Sequence, residues 1–360
     1  MSQSDSKYIL WVACAIFLCL GISTAAIGPL LPELAANAGV NLAAIGAVFT
    51  AIFLGSTITQ FIAGPICDRY GQQPVILVGL VISTIGLVGL TFGRSQWLVL
   101  LPAFVAGLGL GAVVLGNNLM IARVFAERSV SALNLLNFFF GLGAVIGPAA
   151  VGLSLSLFKT GLPVIGVDAL AYFLTIPFVL RFKPMPSSAN NSSAGSNLNL
   201  VVRMPFAWLL GFMAFCYVGI ETGLGGWIAT YINQTANLSL EISALVSSGF
   251  WLAFTIGRLV NAWLGMRLSP TQILGVCLSG ALSGGVIFML STGNYIPSVI
   301  AIILIGFSFG AIYPTLIAIT STAFQSNSGM AVSIVSSLGS VGGMLIPLAM
   351  GYMIESQGPN

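Results

Sequence analysis

The chain has 360 residues, of which 57% are hydrophobic and only 5% are charged, and its mean hydropathy is +1.04. A soluble domain of this size needs a polar surface, so the composition excludes a soluble globular protein and indicates an integral membrane protein. With so few charges, the net charge of +3 does not indicate a nucleic-acid partner.

Eleven runs of the chain are long and apolar enough to cross a bilayer, which takes about 20 residues. They cover approximately residues 8–31, 42–67, 74–92, 97–125, 130–158, 162–182, 205–232, 238–266, 271–290, 296–324 and 330–354. None shows the alternation of a porin strand, so we expect helices that satisfy their own backbone groups. The first run lacks a cleavage site for a signal peptide and is predicted to be a retained helix.

The distribution of basic residues predicts the orientation. If the N-terminus is cytoplasmic, eight basic residues fall on the inner side and two on the outer side. The inner set is Lys7, Arg69, Arg123, Arg128, Arg181, Lys183, Arg203 and Arg267, and the outer set is Arg94 and Lys159. Cytoplasmic loops are enriched in Lys and Arg, so we expect a multi-pass protein of the plasma (inner) membrane with a cytoplasmic N-terminus.

A polar segment divides the chain into two bundles. Residues 183–204 are rich in Ser and Asn and are predicted to be a cytoplasmic linker. The linker separates a six-helix bundle at residues 1–182 from a five-helix bundle at residues 205–360. The predicted fold is therefore all-α and membrane-integral, with two bundles.

The two bundles share an internal repeat. A nearly constant offset pairs Gly107 with Gly306, Gly111 with Gly310, Gly143 with Gly342, Pro148 with Pro347 and Gly152 with Gly351. Such half-to-half symmetry is common in transporters. By the same offset a twelfth helix would follow Asn360, so we expect either a fragment or an eleven-helix protein whose C-terminus is outside the cytoplasm.

The loop after the second span carries a motif of the form G-x-x-x-D-R-x-G, made by Gly64, Asp68, Arg69 and Gly71. It resembles the signature loop of the major facilitator superfamily, in which the aspartate is thought to latch the outward-open state. The resemblance implies a gate formed by these four residues. The basic pair usual in that loop is replaced here by glutamines at 72 and 73. A tight turn with a surface ion pair is the simpler alternative.

The fifth span carries Gly143, Gly147, Pro148 and Gly152, which is similar to the antiporter motif of some drug exporters. One glycine of that motif is Val151 here. Small residues one turn apart also allow close helix packing, so packing is the alternative interpretation.

Polar side chains inside two further spans are candidate ligands for a solute. Asn117 and Asn118 in the fourth span could bind a hydroxylated compound or could bridge helices. Tyr313 in the tenth span adjoins Pro314, where we expect a helix break that frees backbone groups.

The seventh span contains Glu221 near its middle, and a charge at that depth is costly and indicates function by default. The pattern of Tyr217, Glu221, Trp227 and Tyr231 resembles the fucose-permease branch of the superfamily. That resemblance implies symport of a monosaccharide or polyol with a cation, usually a proton, by alternating access. The acidic residues of that branch in helices one and four have no counterpart within the predicted spans.

Glu221 is therefore the predicted cation-coupling residue, for a proton or for sodium. Three glycines that follow it could break the helix and turn Tyr217, Trp227 and Tyr231 toward one cavity, where Trp227 would stack on a sugar. The alternative is a neutralised structural Glu221 with aromatics at the membrane interface.

The sequence contains no histidine, and its five cysteines have no metal or redox spacing, so we expect no cofactor, no metal and no enzyme activity. The expected partners are a small-molecule substrate and the lipid bilayer, with the protein as a monomer. Two other functions stay open, a proton-coupled exporter of drugs or amphiphiles and an inactive truncated transporter.

Overall fold

The computed structural model describes residues 3–125, 129–182, 203–236, 238–265, 267–291, 294–324 and 328–357. These ranges contain helices and no strands. Eleven of the apolar segments are long enough to cross a membrane, which confirms the predicted all-α membrane fold. The chain divides into two compact units, Met1–Ser193 and Ala194–Asn360. Most of the predicted linker lies outside the described residues.

The first unit contains seven helices in the described ranges. They are α1 (Gln3–Ala38), α2 (Leu42–Ile45), α3 (Ala47–Tyr70), α4 (Gln72–Thr91), α5 (Gln96–Phe125), α6 (Ser129–Phe158) and α7 (Leu162–Leu180). Asn41 begins α2 by accepting a hydrogen bond from the backbone N–H of Ala44 at 2.9 Å, which satisfies one free donor of the first turn. Helix α1 packs against α6, and α5 packs against both α3 and α4.

The second unit contains six helices in the described ranges. They are α8 (Pro205–Ala236), α9 (Leu240–Leu264), α10 (Pro270–Leu290), α11 (Tyr295–Phe309), α12 (Ile312–Ala323) and α13 (Ser328–Gln357). Ser269 and Gln272 form a capping box at the start of α10. Helix α8 packs against α13, and α11 packs against both α9 and α10.

The first helix is longer than predicted and includes Glu33. Pro29 and Pro32 lie inside α1 without ending it, because membrane helices tolerate prolines. The carboxylate of Glu33 accepts hydrogen bonds from the hydroxyl of Thr160 and from the backbone N–H of Gly161, the latter at 2.7 Å. The prediction that the first helix has no acidic residue was therefore wrong, although this carboxylate is already paired.

Matched glycines are points of close backbone approach in both units. A methyl group at Gly143 would collide with the carbonyl of Leu18, and one at Gly342 would collide with that of Phe215. Gly111 against Ser56 and Gly310 against Phe254 form a second matched pair of contacts. The repeated glycines thus allow the same helix pairs to approach closely in each half, as small residues do in membrane bundles.

Candidate functional site

Glu221 lies in α8, which runs unbroken from Pro205 to Ala236. The predicted helix break at the three following glycines was wrong. The glycines of this helix provide room for side chains of neighbouring helices. A Cβ at Gly223 would meet the sulfur of Met350, and one at Gly225 would meet the indole of Trp251. Glu221 is thus presented from a rigid helix and is half-buried.

Two side chains interact with the Glu221 carboxylate. The guanidinium of Arg258 on α9 attracts it electrostatically, and the hydroxyl of Tyr217, one turn earlier on α8, lies near it. Arg258 also lies over the ring of Phe254, with 4.6 Å between the guanidinium carbon and the ring centroid. Sequence reasoning did not assign Arg258 to the site. The available signal was its position as a cation within a predicted span, which normally requires a partner.

The helix is interrupted between α11 and α12, which confirms the break predicted near Pro314. Tyr217 and Arg258 donate hydrogen bonds to backbone carbonyls at this break. Pro314 has no N–H, so it cannot donate to the carbonyl four residues earlier, that of Gly310. That carbonyl accepts from the Nε of Arg258 at 3.3 Å. The neighbouring carbonyl of Phe309 accepts from the hydroxyl of Tyr217 at 2.9 Å. The freed backbone acceptors are therefore satisfied from α8 and α9.

Tyr313, in the first turn of α12, completes the group. Its ring stacks on that of Tyr217 with centroids 6.3 Å apart and an interplanar angle of 21°, and its hydroxyl lies 3.0 Å from that of Ser336 on α13. We call Tyr217, Glu221, Arg258 and Tyr313 the Glu221 cluster. Tyr217 is buried, whereas the other three are half-buried and keep some access to solvent. Such a group can bind a proton or cation at the carboxylate and a polar solute at the donors.

The other two aromatic residues predicted for the site lie further along α8. Trp227 is 1% exposed, and its indole N–H donates to the carbonyl of Pro347 at 2.8 Å. Tyr231 is half-buried, and its ring lies 4.8 Å from that of Phe288 on α10. At 1.5 Å per residue, Tyr231 is about 15 Å along the axis from Glu221. Neither joins the Glu221 cluster, and their contact with substrate stays a prediction.

The two adjacent amides of α5 have different surroundings. Asn117 is fully buried and donates to the carbonyl of Val113 in its own helix at 2.9 Å, while its amide oxygen has no hydrogen-bond partner in the described structure. Asn118 is half-buried. Consecutive helical residues point about 100° apart, so the two amides do not present one surface. Asn118 is the more accessible of the two predicted ligands.

The prediction that Gly64, Asp68, Arg69 and Gly71 form a loop was wrong for the first three, which lie in the last turns of α3, and only Gly71 lies between α3 and α4. Gly71 adopts φ 86°, a backbone conformation that glycine accommodates, whereas a Cβ at Gly64 would meet nothing within 4 Å. Arg69 is exposed and lies over the ring of Tyr70 at 5.2 Å. The side chain of Asp68 lies outside the described part of the chain. The proposed latch at Asp68 therefore stays a prediction.

The glutamines that replace the usual basic pair hold the loop to its own unit. Gln72 is 1% exposed, and with its amide oxygen turned to Arg123 it accepts from Nη1 at 2.8 Å. Gln73 donates to the carbonyls of Val179 and Leu180 at the end of α7, at 3.1 and 3.3 Å. Gln73 thus adds a side-chain donor at the C-terminal end of α7, where the Val179 carbonyl also accepts from the backbone N–H of Phe182, and Gln72 bonds to Arg123 of α5.

Asp168 on α7 is a second buried carboxyl group. It is 2% exposed and lies beside Cys19 and Ser23 of α1, but neither of its oxygens has a hydrogen-bond partner in the described structure. It adjoins an apolar cavity of about 360 Å³ between α1, α6 and α7. Among the described residues, no group of three His, Cys, Asp or Glu side chains forms a metal site.

Comparisons with known proteins agree with this architecture. The chain is 22% identical to the Protein TsgA homolog of Yersinia enterocolitica, over 99% of this chain and 91% of that protein. Its fold is similar to that of the nucleoside transporter NupG, with a TM-score of 0.81, 13% identity, and coverage of 97% of this chain and 92% of that one. It is also similar to the Escherichia coli fucose:proton symporter FucP, with a TM-score of 0.66, 20% identity, and coverage of 97% of this chain and 92% of that one.

A sequence model of the Major Facilitator Superfamily matches residues 13–357, nearly the whole chain. The match agrees with the eleven spanning segments and the two compact units described above. The chain therefore belongs to the Major Facilitator Superfamily and is a multi-pass membrane transporter, not an enzyme.

Proposed function

We propose that this protein is a secondary active transporter that moves a monosaccharide, or a similar small polar solute, by symport with a proton or sodium ion. The observation that carries the proposal is the Glu221 cluster. Its carboxylate, on an unbroken helix, lies near Tyr217 and attracts Arg258, and these two side chains donate to backbone carbonyls at a helix break. Broken helices commonly form substrate and ion sites in transporters.

The cluster offers a physical route for coupling. Ionised Glu221 attracts the Arg258 guanidinium, which donates to the Gly310 carbonyl at the break between α11 and α12, and the nearby Tyr217 hydroxyl donates to the Phe309 carbonyl at the same break. Protonation, or binding of sodium, weakens the attraction of the carboxylate for the Arg258 guanidinium. The break can then respond to whether a cation is bound, as alternating access requires. The similarity to a fucose:proton symporter supports a sugar as the solute.

The proposed orientation and membrane location rest on the basic residues and on the relatives. The bias of basic residues supports a cytoplasmic N-terminus, and the bacterial relatives support the inner membrane. We propose that the gate loop closes one side of the pathway, and that the protein acts as a monomer without a bound cofactor.

Uptake into proteoliposomes tests the proposal. Labelled neutral and acidic sugars are offered with an imposed proton or sodium gradient, and accumulation of at least one sugar is expected. Glu221→Gln should abolish accumulation and leave exchange of bound substrate. Glu355→Gln is the matched control, because Glu355 is an exposed carboxylate of the same unit. No sugar accumulation under either gradient, with gradient-driven efflux of a dye, would favour the exporter alternative.

A further inference from the structure

Few charged groups lie near Glu221 in the described part of the second unit. The titratable groups that face its carboxylate are Tyr217 on its own helix, Arg258 from α9 and Tyr313 from α12. Tyr217 donates to the Phe309 carbonyl of α11, and the hydroxyl of Tyr313 lies 3.0 Å from that of Ser336 on α13. In the described part of the second unit, the remaining charged residues lie in first or last helical turns or between helices.

This set changes its net charge when Glu221 binds a proton. Arg258 stays positively charged at any accessible pH. With Glu221 ionised, the two charges cancel. With Glu221 protonated, the cluster carries one uncompensated positive charge on a half-buried guanidinium.

That change favours one class of substrate. A ligand shifts an equilibrium only through a difference in its affinity for the two states. An uncharged sugar makes no Coulombic distinction between the ionised and the protonated cluster. An anion binds the protonated cluster more tightly, and by reciprocity it promotes protonation in turn.

The geometry of Arg258 suits a carboxylate. Its Nε–H donates to the Gly310 carbonyl. The four N–H groups of the two terminal nitrogens can donate to a ligand. A guanidinium pairs with a carboxylate in a fork of parallel hydrogen bonds. Tyr313 is half-buried, and its hydroxyl, 3.0 Å from that of Ser336, can meet a sugar hydroxyl.

We propose that the substrate is a sugar acid, a monosaccharide with one carboxylate, carried together with one proton on Glu221 and bound at its carboxylate by Arg258. The inference rests on the proposed symport function and narrows its substrate. One proton and one monoanion cross together, so the cycle moves no net charge.

The test uses the full chain in proteoliposomes with labelled glucuronate and labelled glucose. With an inward proton gradient, we expect glucuronate to accumulate, and its rate should not change when a membrane potential of either sign is imposed with potassium and valinomycin. Excess unlabelled glucose should not compete. Arg258→Gln should lower glucuronate uptake by about tenfold or more, within the usual range of coupling between sites, and Arg258→Lys should restore part of it because the charge is kept.

Each other outcome is decisive. Accumulation of glucose that glucuronate does not inhibit would overturn the sugar-acid substrate and leave the proposed symport function standing. Accumulation of another sugar of the panel but of neither probe would overturn the sugar-acid substrate alone, whereas accumulation of no sugar at all would overturn both. Glucuronate uptake that a potential accelerates would refute the one-proton cycle. Because Arg258→Gln also removes a bond to the helix break, the competition and potential measurements on the unchanged protein decide the matter if that variant does not fold.

Discussion

The Nε of Arg258 lies 3.3 Å from the carbonyl oxygen of Gly310 and takes the place of the backbone donor that Pro314 lacks. A side chain of α9 therefore completes the hydrogen bonding of a helix that its own sequence interrupts. The same guanidinium faces Glu221. The break and the half-buried carboxylate are thus linked through a single residue.

Replacement of Pro314 by alanine tests the importance of this break. Alanine supplies the missing N–H, so we expect α11 and α12 to form one helix and the protein to gain about 1 kcal/mol, the net value of one hydrogen bond. Transport should slow, because the Gly310 carbonyl no longer needs Arg258. Thermal unfolding and initial uptake rates measure the two effects. Pro148→Ala is the control, since Pro148 lies inside the continuous helix α6. Uptake by Pro314→Ala at the normal rate would argue against a functional break.

Replacement of Tyr217 by phenylalanine removes one hydroxyl from the Glu221 cluster. The Phe309 carbonyl then loses its donor at a buried site, which costs about 1–3 kcal/mol of stability. We expect a lower melting temperature together with impaired gradient-driven uptake. Tyr295→Phe makes the same chemical change at a residue that is 48% exposed and should be neutral in both assays. A Tyr217→Phe protein with unchanged stability would show that this hydrogen bond contributes little.

The repeated glycines make a prediction for each half. Gly143→Ala and Gly342→Ala both place a methyl group against a backbone carbonyl, so each should destabilise the protein by about 1–3 kcal/mol or more. Gly275→Ala is the matched control, because a Cβ there meets nothing within 4 Å. It should be neutral or stabilise by up to about 1 kcal/mol through helix propensity. Equal melting temperatures for all three variants would contradict the close approach.

Neutral replacements of two carboxyl groups in the first unit should change the free energy of unfolding in opposite directions. Asp168→Leu keeps the branching of the side chain and removes two buried oxygens without partners, so we expect a gain of about 1–3 kcal/mol. Glu33→Gln weakens acceptors that hold Thr160 and Gly161, so we expect a loss of similar size. Thermal unfolding in the same detergent compares them. A loss of stability in Asp168→Leu would indicate that the carboxyl group has a partner in the folded protein.

Hydropathy predicted the number and order of the spans, because a bilayer imposes one length and one polarity on every segment that crosses it. The break near Pro314 was also predictable, since proline removes a specific backbone donor. The end of α1 was not, because prolines at 29 and 32 resemble a stop signal yet continue the helix.

Side-chain partners were harder to predict than helices. Arg258 is 37 residues from Glu221 in the sequence, and only the packing of α9 on α8 makes them neighbours. The glycines after Glu221 were misinterpreted because glycine is common both at helix breaks and at close contacts. Composition alone does not distinguish a helix break from a close contact. The structure does, because the side chains of Met350 and Trp251 occupy the space beside Gly223 and Gly225.

The shared glycine contacts make the first half an internal control for the second. Helix α5 carries Gly111 where the second half has Gly310, but it has Leu115 where the second half has Pro314, and it runs unbroken from Gln96 to Phe125. Properties that arise from glycine packing should therefore appear in both halves of one molecule. Properties that arise from the interrupted helix belong to the second half, where the paired charges of Glu221 and Arg258 also lie.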